Sequence, residues 1–195
     1  MKTEKGESMK ILVTYGTQYG SAMHYAQTFA KLTEAKILPY NEIKSVCGYD
    51  CVIHFGALYA GGTLGLKKVA SLLSEKTEFI IVTVGLADVQ DEKNTNHIRR
   101  SIQRQIPKKI WDRAKIYHLR GAIDYEKLNF KHRTMMALLY AKAKNLPEEK
   151  KDAETRAMIE TYGKRVSFVD DDSLRKLADT IYVDLHDFSK TETLN

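Results

Sequence analysis

Four short apolar runs, each closed by a glycine, set the architecture open to this chain. Lys10-Ile-Leu-Val-Thr-Tyr15 stops at Gly16 and Tyr49-Asp-Cys-Val-Ile-His-Phe55 at Gly56. Phe79-Ile-Ile-Val-Thr-Val84 stops at Gly85, and Ala114 to Leu119 ends just before Gly121. Runs of this length, rich in β-branched residues and bounded by glycine, read as strands buried on both faces. Ala35 to Leu38, stopped by Pro39, adds a shorter one.

The segments between them carry the helical period. Ala22, Ala26, Phe29, Ala30 and Thr33 share one face of Ser21 to Glu34, and their small size lets that helix lie close on a sheet. Leu66, Val69, Ala70 and Leu73 follow the i, i+3, i+4, i+7 rule, and Ile98, Ile102 and Ile106 mark a basic helix over Asn94 to Ile106. Asp170, Asp171 and Asp172 offer cap and dipole chemistry for a last helix, whose stripe is Leu174, Leu177, Ala178, Ile181 and Leu185. This alternation predicts an α/β fold: a doubly wound, five-stranded parallel sheet with helices on both faces.

A chain of 195 residues suits one domain, spanning 9–187. Residues 121–168 break the alternation. They hold one helix-like segment, 129–144, and then a charged stretch from Pro147 to Lys164. They read as an insertion before the closing helix, too short to have a core of its own. Met1 to Ser8 form a polar extension without the apolar stretch of a signal peptide. No run of about 18 apolar residues offers a membrane span. Cys47 and Cys51, the only cysteines, are spaced C-x3-C, which is neither a redox C-x-x-C pair nor half of a metal site. Reduced structural cysteines, and the cytoplasm as default compartment, follow.

A formal net charge of +6 comes from cations clustered in 97–115 and around Lys131, Arg133, Lys142 and Lys144. Nucleic acid, an anionic membrane surface, an acidic substrate and a solvated face are all compatible with such a balance. No helix-turn-helix, RNP or zinc-finger frame surrounds these cations, which argues against nucleic acid. The histidines are scattered: His24 and His54 fall inside predicted elements, while His97, His118 and His132 lie beside cations as solvated groups. No metal site and no Ser-His-Asp arrangement can be assembled from them.

The motif that carries chemistry is Thr14-Tyr-Gly-Thr-Gln-Tyr-Gly-Ser-Ala22, a turn from the first strand into the first helix. It lacks the Gly-Lys-Ser/Thr of a Walker loop and the G-x-G-x-x-G of a dinucleotide site. What remains is a loop rich in hydroxyls and glycine, opening a helix whose free N–H groups suit an anion. Thr17 and Ser21 add hydroxyls, and Gly16 and Gly20 relax the backbone. The turn resembles the phosphate loop of flavodoxins, roughly T/S-x-T-G-x-T. Thr17 and Gly20 match that pattern, whereas Tyr19 and Ala22 stand where threonines are usual.

The resemblance implies one noncovalently bound FMN. Its contacts would come from Thr17, Gln18, Tyr19, Gly20, Ser21 and Ala22. Two further loops at the carboxyl ends of strands, where open α/β sheets bind ligands, would add to them. Ala57, Leu58, Tyr59, Ala60 and Gly61 would cover one face of the flavin, with Tyr59 stacking. Val84, Gly85, Leu86, Ala87 and Asp88 would meet its edge and other face. Gly56-Ala57 followed by Tyr59, Arg120-Gly-Ala-Ile-Asp-Tyr-Glu-Lys-Leu128 and the Met-, Leu- and Lys-rich Phe130 to Lys144 are similar to the flavodoxin-like protoporphyrinogen IX dehydrogenases. That likeness implies oxidation of protoporphyrinogen IX or a similar large apolar substrate, with a quinone as acceptor and no obligatory protein acid or base. A flavodoxin-type electron carrier is the alternative, although such carriers are typically acidic. Met135 to Tyr140 is apolar all round, and two readings stay open: a buried packing helix, or a surface for a quinone, a flat tetrapyrrole or the inner face of a membrane.

Overall fold

The computed structural model describes residues 9–59, 61–151 and 153–192. In chain order its elements are β1 (Ile11–Gly16), α1 (Ser21–Thr33), β2 (Lys36–Pro39), β3 (Cys51–Tyr59), β4 (Gly62–Thr63), α2 (Leu66–Ala70), β5 (Glu78–Gly85) and α3 (Glu92–Gln103). There follow α4 (Lys108–Trp111), β6 (Lys115–Arg120), β7 (Ala122–Asp124), α5 (Phe130–Lys144), α6 (Ala153–Thr161), β8 (Arg165–Ser167) and α7 (Asp171–Glu192).

Five strands pair in parallel in the order β2-β1-β3-β5-β6, with Gly16 level with Gly56 across the β1–β3 pair. The apolar runs are buried on both faces, as their composition requires: Leu12, Val13, Val52, Ile53, Ile80 and Ile81 are all sealed from solvent. One layer packs α1 and α7 on the sheet through Ala22, Ala26, Phe29, Leu174 and Ile181. The opposite layer holds α2, α3 and α4 through Leu66, Val69, Ile98, Ile102 and Trp111. The chain leaves β1 toward β2 on one side and returns as β3 on the other. The loops after β1 and β3 therefore diverge and open a crevice at the sheet's carboxyl edge.

Several boundaries differ from the sequence reading, for physical reasons. Gly56 does not end β3, which continues to Tyr59 and folds back as the antiparallel β4. A Cβ at Gly56 would collide with the Thr63 methyl group, so this glycine makes room for the hairpin. The sheet thus has a sixth, two-residue strand beyond the five expected. Helix α3 begins at Glu92 because the Asp91 carboxylate accepts the Lys93 N–H at 2.9 Å, a side-chain cap.

The insertion is tied at its base by the antiparallel pair β7–β8, in which Ile123 faces Val166. It is not coreless, contrary to the reading from its length. Ile123, Tyr125, Leu128 and Met136 are buried together, with Met158, Tyr162 and Val166 packed against them. Tyr140 stacks on Tyr162 at 4.0 Å between ring centroids. Tyr19 and Leu86 of the main domain join this cluster, so the insertion is seated on the sheet edge rather than set apart from it.

His54 shows how the sheet interior holds the edge. It is fully buried in β3, where its Nε2–H donates to the Leu64 carbonyl and its Nδ1 accepts the Thr14 hydroxyl, both at 2.9 Å. Burial pushes the imidazole pKa down to about 4, and His118 on β6 is likewise lowered to about 4 by burial and by Arg99. The folded chain keeps both rings neutral, while the unfolded chain takes up protons near pH 6.5. Their stabilisation is therefore complete above pH 6.5 and is lost as the pH falls toward 4. For His54 the loss is on the order of 3 kcal/mol. Urea unfolding is expected to give a steeper loss of stability between pH 6.5 and 4.5 in the natural chain than in His54→Gln. Parallel pH profiles would contradict this assignment.

Candidate functional site

Three loops at the carboxyl edge converge beneath α5 and α6 around a cavity of about 590 Å³. That volume falls inside the range of small-molecule sites, roughly 300–1,000 Å³.

The first loop follows β1. Thr17 Oγ1 accepts the Gly20 N–H at 3.0 Å and tightens the turn. Gly20 is the N-cap of α1, at φ 97°, and carries no capping side chain. His24 N–H is bonded to Gly20 O at 2.9 Å. The N–H groups ahead of it in the first turn have no capping side chain among the described residues, and no acid stands in that turn. A 13-residue helix begun in this way directs its amides and the positive end of its dipole at an anion. Ser21 Oγ accepts the Ala122 N–H at 2.9 Å, which keeps the hydroxyl proton available for a ligand.

The second loop is the β3–β4 hairpin. It is clamped from α3 and the turn after it, where Ser101 Oγ donates to Gly61 O at 3.0 Å and Gln105 Oε1 accepts the Thr63 N–H at 2.9 Å. Gly61 turns at φ 78°. Tyr59 lines the cavity, and its hydroxyl donates to Met135 Sδ at 3.2 Å. Tyr19 meets the Tyr59 ring edge-on at 6.4 Å and the His132 ring at 6.2 Å.

The third loop leaves β5. The Arg120 guanidinium, lying 3.7 Å over the Phe168 ring, donates to Leu86 O at 2.9 Å and fixes the loop from β6. Glu154 Oε1 of α6 accepts the Ala87 N–H at 3.2 Å. A Cβ at Gly85 would come within 2.5 Å of the same oxygen and 2.7 Å of Leu58 Cδ1, so a larger residue there would have to displace both side chains.

Most of the residues expected from sequence are brought together here. Thr17, Gln18, Tyr19, Ser21 and Ala22 line the cavity with Ala57, Leu58, Tyr59, Gly61, Val84, Gly85 and Leu86. Gly20, Ala87 and Asp88 shape the loops without lining it. Asp88 turns outward, its carboxylate accepting the Gln90 N–H at 2.9 Å. Ala60 lies outside the described residues. Two histidines read as solvated are not: His118 is held in the sheet with its Nδ1 2.7 Å from the Thr83 hydroxyl, and a His132 nitrogen lies 3.1 Å from Gln18 Nε2, whereas His97 is exposed at the rim.

Sequence reasoning left the α5 part of the roof open and missed the α6 part and one wall. Met135, Met136, Leu139 and Lys142 of α5, with Glu154, Thr155 and Met158 of α6, close the cavity from above. Gly121, Ala122 and Ile123 complete a wall, and their signal was available: they follow the carboxyl end of the last parallel strand. The same reasoning had already picked out the other two loops.

The lining suits a ligand with an anionic end and a flat apolar body. Buried Tyr19 Oη has no hydrogen-bond partner among the described residues, and burial holds its pKa above the ordinary tyrosine value. A neutral hydroxyl donor is therefore left for a bound molecule. No group of three or more His, Cys, Asp or Glu side chains among the described residues is placed to hold a metal. No helix among them is long and apolar enough to cross a membrane.

The family described as "Flavodoxin domain" matches residues 12–150. The chain belongs to the flavodoxin-domain family. The match runs from β1 through α5, so it contains all three loops and stops short of α6. Among solved structures, a protein of Bacteroides uniformis described as a flavoprotein is 10% identical, with 59% of this chain and 92% of that one covered and a TM-score of 0.44. A Pseudomonas aeruginosa flavodoxin mutant is 17% identical, covering 69% and 95%, with a TM-score of 0.39. A Fusobacterium nucleatum flavodoxin mutant bound to flavin mononucleotide is 13% identical, covering 62% and 73%, also at 0.39. No curated protein matches the chain.

Proposed function

We propose that this flavodoxin-domain protein binds one FMN in the cavity and passes electrons between it and a large apolar reductant. Protoporphyrinogen IX is the specific candidate, with a quinone as acceptor. The observation that carries this reading is the juxtaposition of an uncapped α1 N-terminus with an apolar slot roofed by methionines.

FMN, when bound, supplies the redox chemistry. The first-turn amides of α1 and the Ser21 hydroxyl would hold its phosphate, and Tyr19 Oη offers a further donor. Tyr59 and the Val84–Leu86 backbone would flank the ring system. Met135, Leu139 and Met158 exclude water from above, and their flexible, polarizable side chains adapt to flat ligands of different outline. Lys142 of the roof would meet a carboxylate of an anionic substrate, and Lys131 and Arg133 of the same helix would add positive charge nearby.

Anaerobic mixing of the FMN-loaded protein with protoporphyrinogen IX is expected to bleach the flavin and generate porphyrin fluorescence, and a quinone should restore the flavin colour. A flavin reduced only by a partner reductase and untouched by the porphyrinogen would favour a flavodoxin-type carrier instead. The roof argues against a carrier, which needs the flavin edge open to its partner protein.

A further inference from the structure

We infer that the outer face of α5 docks on an anionic lipid bilayer. The helix turns its Met136 and Ala143 side inward, yet its opposite side is not polar. Phe130 is 86% exposed and Leu138 69%. At 100° per residue, Phe130, Thr134, Ala137, Leu138 and Ala141 form one continuous outer stripe. Lys131 and Lys142 border it on one side, Arg133 and Lys144 on the other.

The charge on this face has one sign. From Asn129 to Asn145 the sequence contains no acidic residue. Neither Lys131, Arg133, Lys142 nor Lys144 forms an ion pair with a described residue; Arg133 donates to the Glu126 carbonyl at 3.2 Å. The first acids beyond the helix are Glu126 before it, which is exposed, and Glu148 after it, which is engaged by Lys151 at 2.6 Å and Arg156 at 3.8 Å. An apolar stripe between two rows of cations is the arrangement of a helix lying in a membrane interface. There the apolar side chains enter the acyl boundary and the lysine stems reach back to the headgroups. A partner protein or second copy would need its own acids placed along both rows, whereas a bilayer of anionic lipids presents negative charge everywhere.

Because α5 also roofs the cavity, docking would hold that roof, with its cavity-lining but exposed edge at Leu139 and Lys142, at the lipid surface. An apolar reductant or quinone could then enter without crossing water. That consequence rests on the proposed function; the docking itself does not.

The test is cosedimentation of the full-length, FMN-loaded protein with vesicles of mixed phosphatidylglycerol and phosphatidylcholine, and with phosphatidylcholine alone. Anionic vesicles should bind at least about tenfold more tightly, and added salt should weaken that binding. Phe130→Ser with Leu138→Ser should reduce binding by about tenfold or more. Lys131→Glu with Lys144→Glu should do so at low salt while leaving neutral vesicles unaffected. Helix content by circular dichroism is expected to be unchanged in both variants. Equal affinity for both lipid compositions, or full binding by the Phe130/Leu138 variant, would overturn the inference. So would a vesicle-free dimer that this variant dissociates, because a second copy would then cover the face. Flavin content is read separately: a colourless protein that still sediments on anionic vesicles would sink the flavin reading and leave the docking standing.

Discussion

Gly20→Val is expected to weaken FMN binding by about a hundredfold, against tenfold or less for Thr17→Ala. Gly20 sits at φ 97°, where a β-branched residue is a genuine outlier and strain runs to about 1–3 kcal/mol. A Cβ there would meet no protein atom within 4 Å, so the cost is conformational rather than a clash. Valine relieves the strain by moving the turn, and the turn aims the first-turn amides of α1. Losing their alignment adds to the strain, and each 1.4 kcal/mol is tenfold in affinity. Thr17→Ala removes one hydroxyl acceptor from the Gly20 N–H, worth about 0.5–1.5 kcal/mol. Fluorescence titration of each apoprotein with FMN measures both. Equal, small effects would place the phosphate elsewhere.

Polar replacement of the roof should separate its two roles. Met136 is buried in the insertion's own cluster, and removing a buried methionine costs about 2–5 kcal/mol. None of that cluster's buried residues belongs to the two clusters that flank the sheet. Met135→Ser, Met136→Ser and Leu139→Ser together are therefore expected to loosen α5 and α6 while the sheet, α1 and α7 hold. Oxidation of a large apolar substrate should fall by more than a hundredfold. FMN should remain bound, though more weakly, because the phosphate contacts proposed for it come from the loop after β1. Circular dichroism and flavin fluorescence on one heated sample distinguish the outcomes. Flavin release and sheet melting in a single lowered transition would make the roof part of one cooperative core.

How much of this was legible beforehand depended on length and local pattern. β1 and β5 announced themselves because continuous β-branched runs can only be buried. The β3–β4 hairpin did not, since Gly56 imitates a strand end and its real task, admitting Thr63, is a long-range contact. β7 and β8 are three residues each and pair across 40 residues of insertion, beyond the reach of any local pattern. α6 lay hidden in a charged stretch: its Glu154 and Met158 turn inward, but no apolar stripe marks the face. The loop after β1 and the two other strand-end loops were legible because strand polarity alone places them at one edge. The roof was not, because α5 is apolar on both sides and periodicity could not say which side faces in. The structure divides that helix between the two readings left open, with Met136 packing inward and Leu138 exposed.

The central claim is that the crevice at the carboxyl edge holds FMN. Purified protein, saturated with a flavin mixture, desalted and then denatured, should release one FMN per chain and no FAD, with Gly20→Val releasing much less. A colourless protein that takes up no FMN, or one whose flavin content is the same in Gly20→Val, would contradict the account.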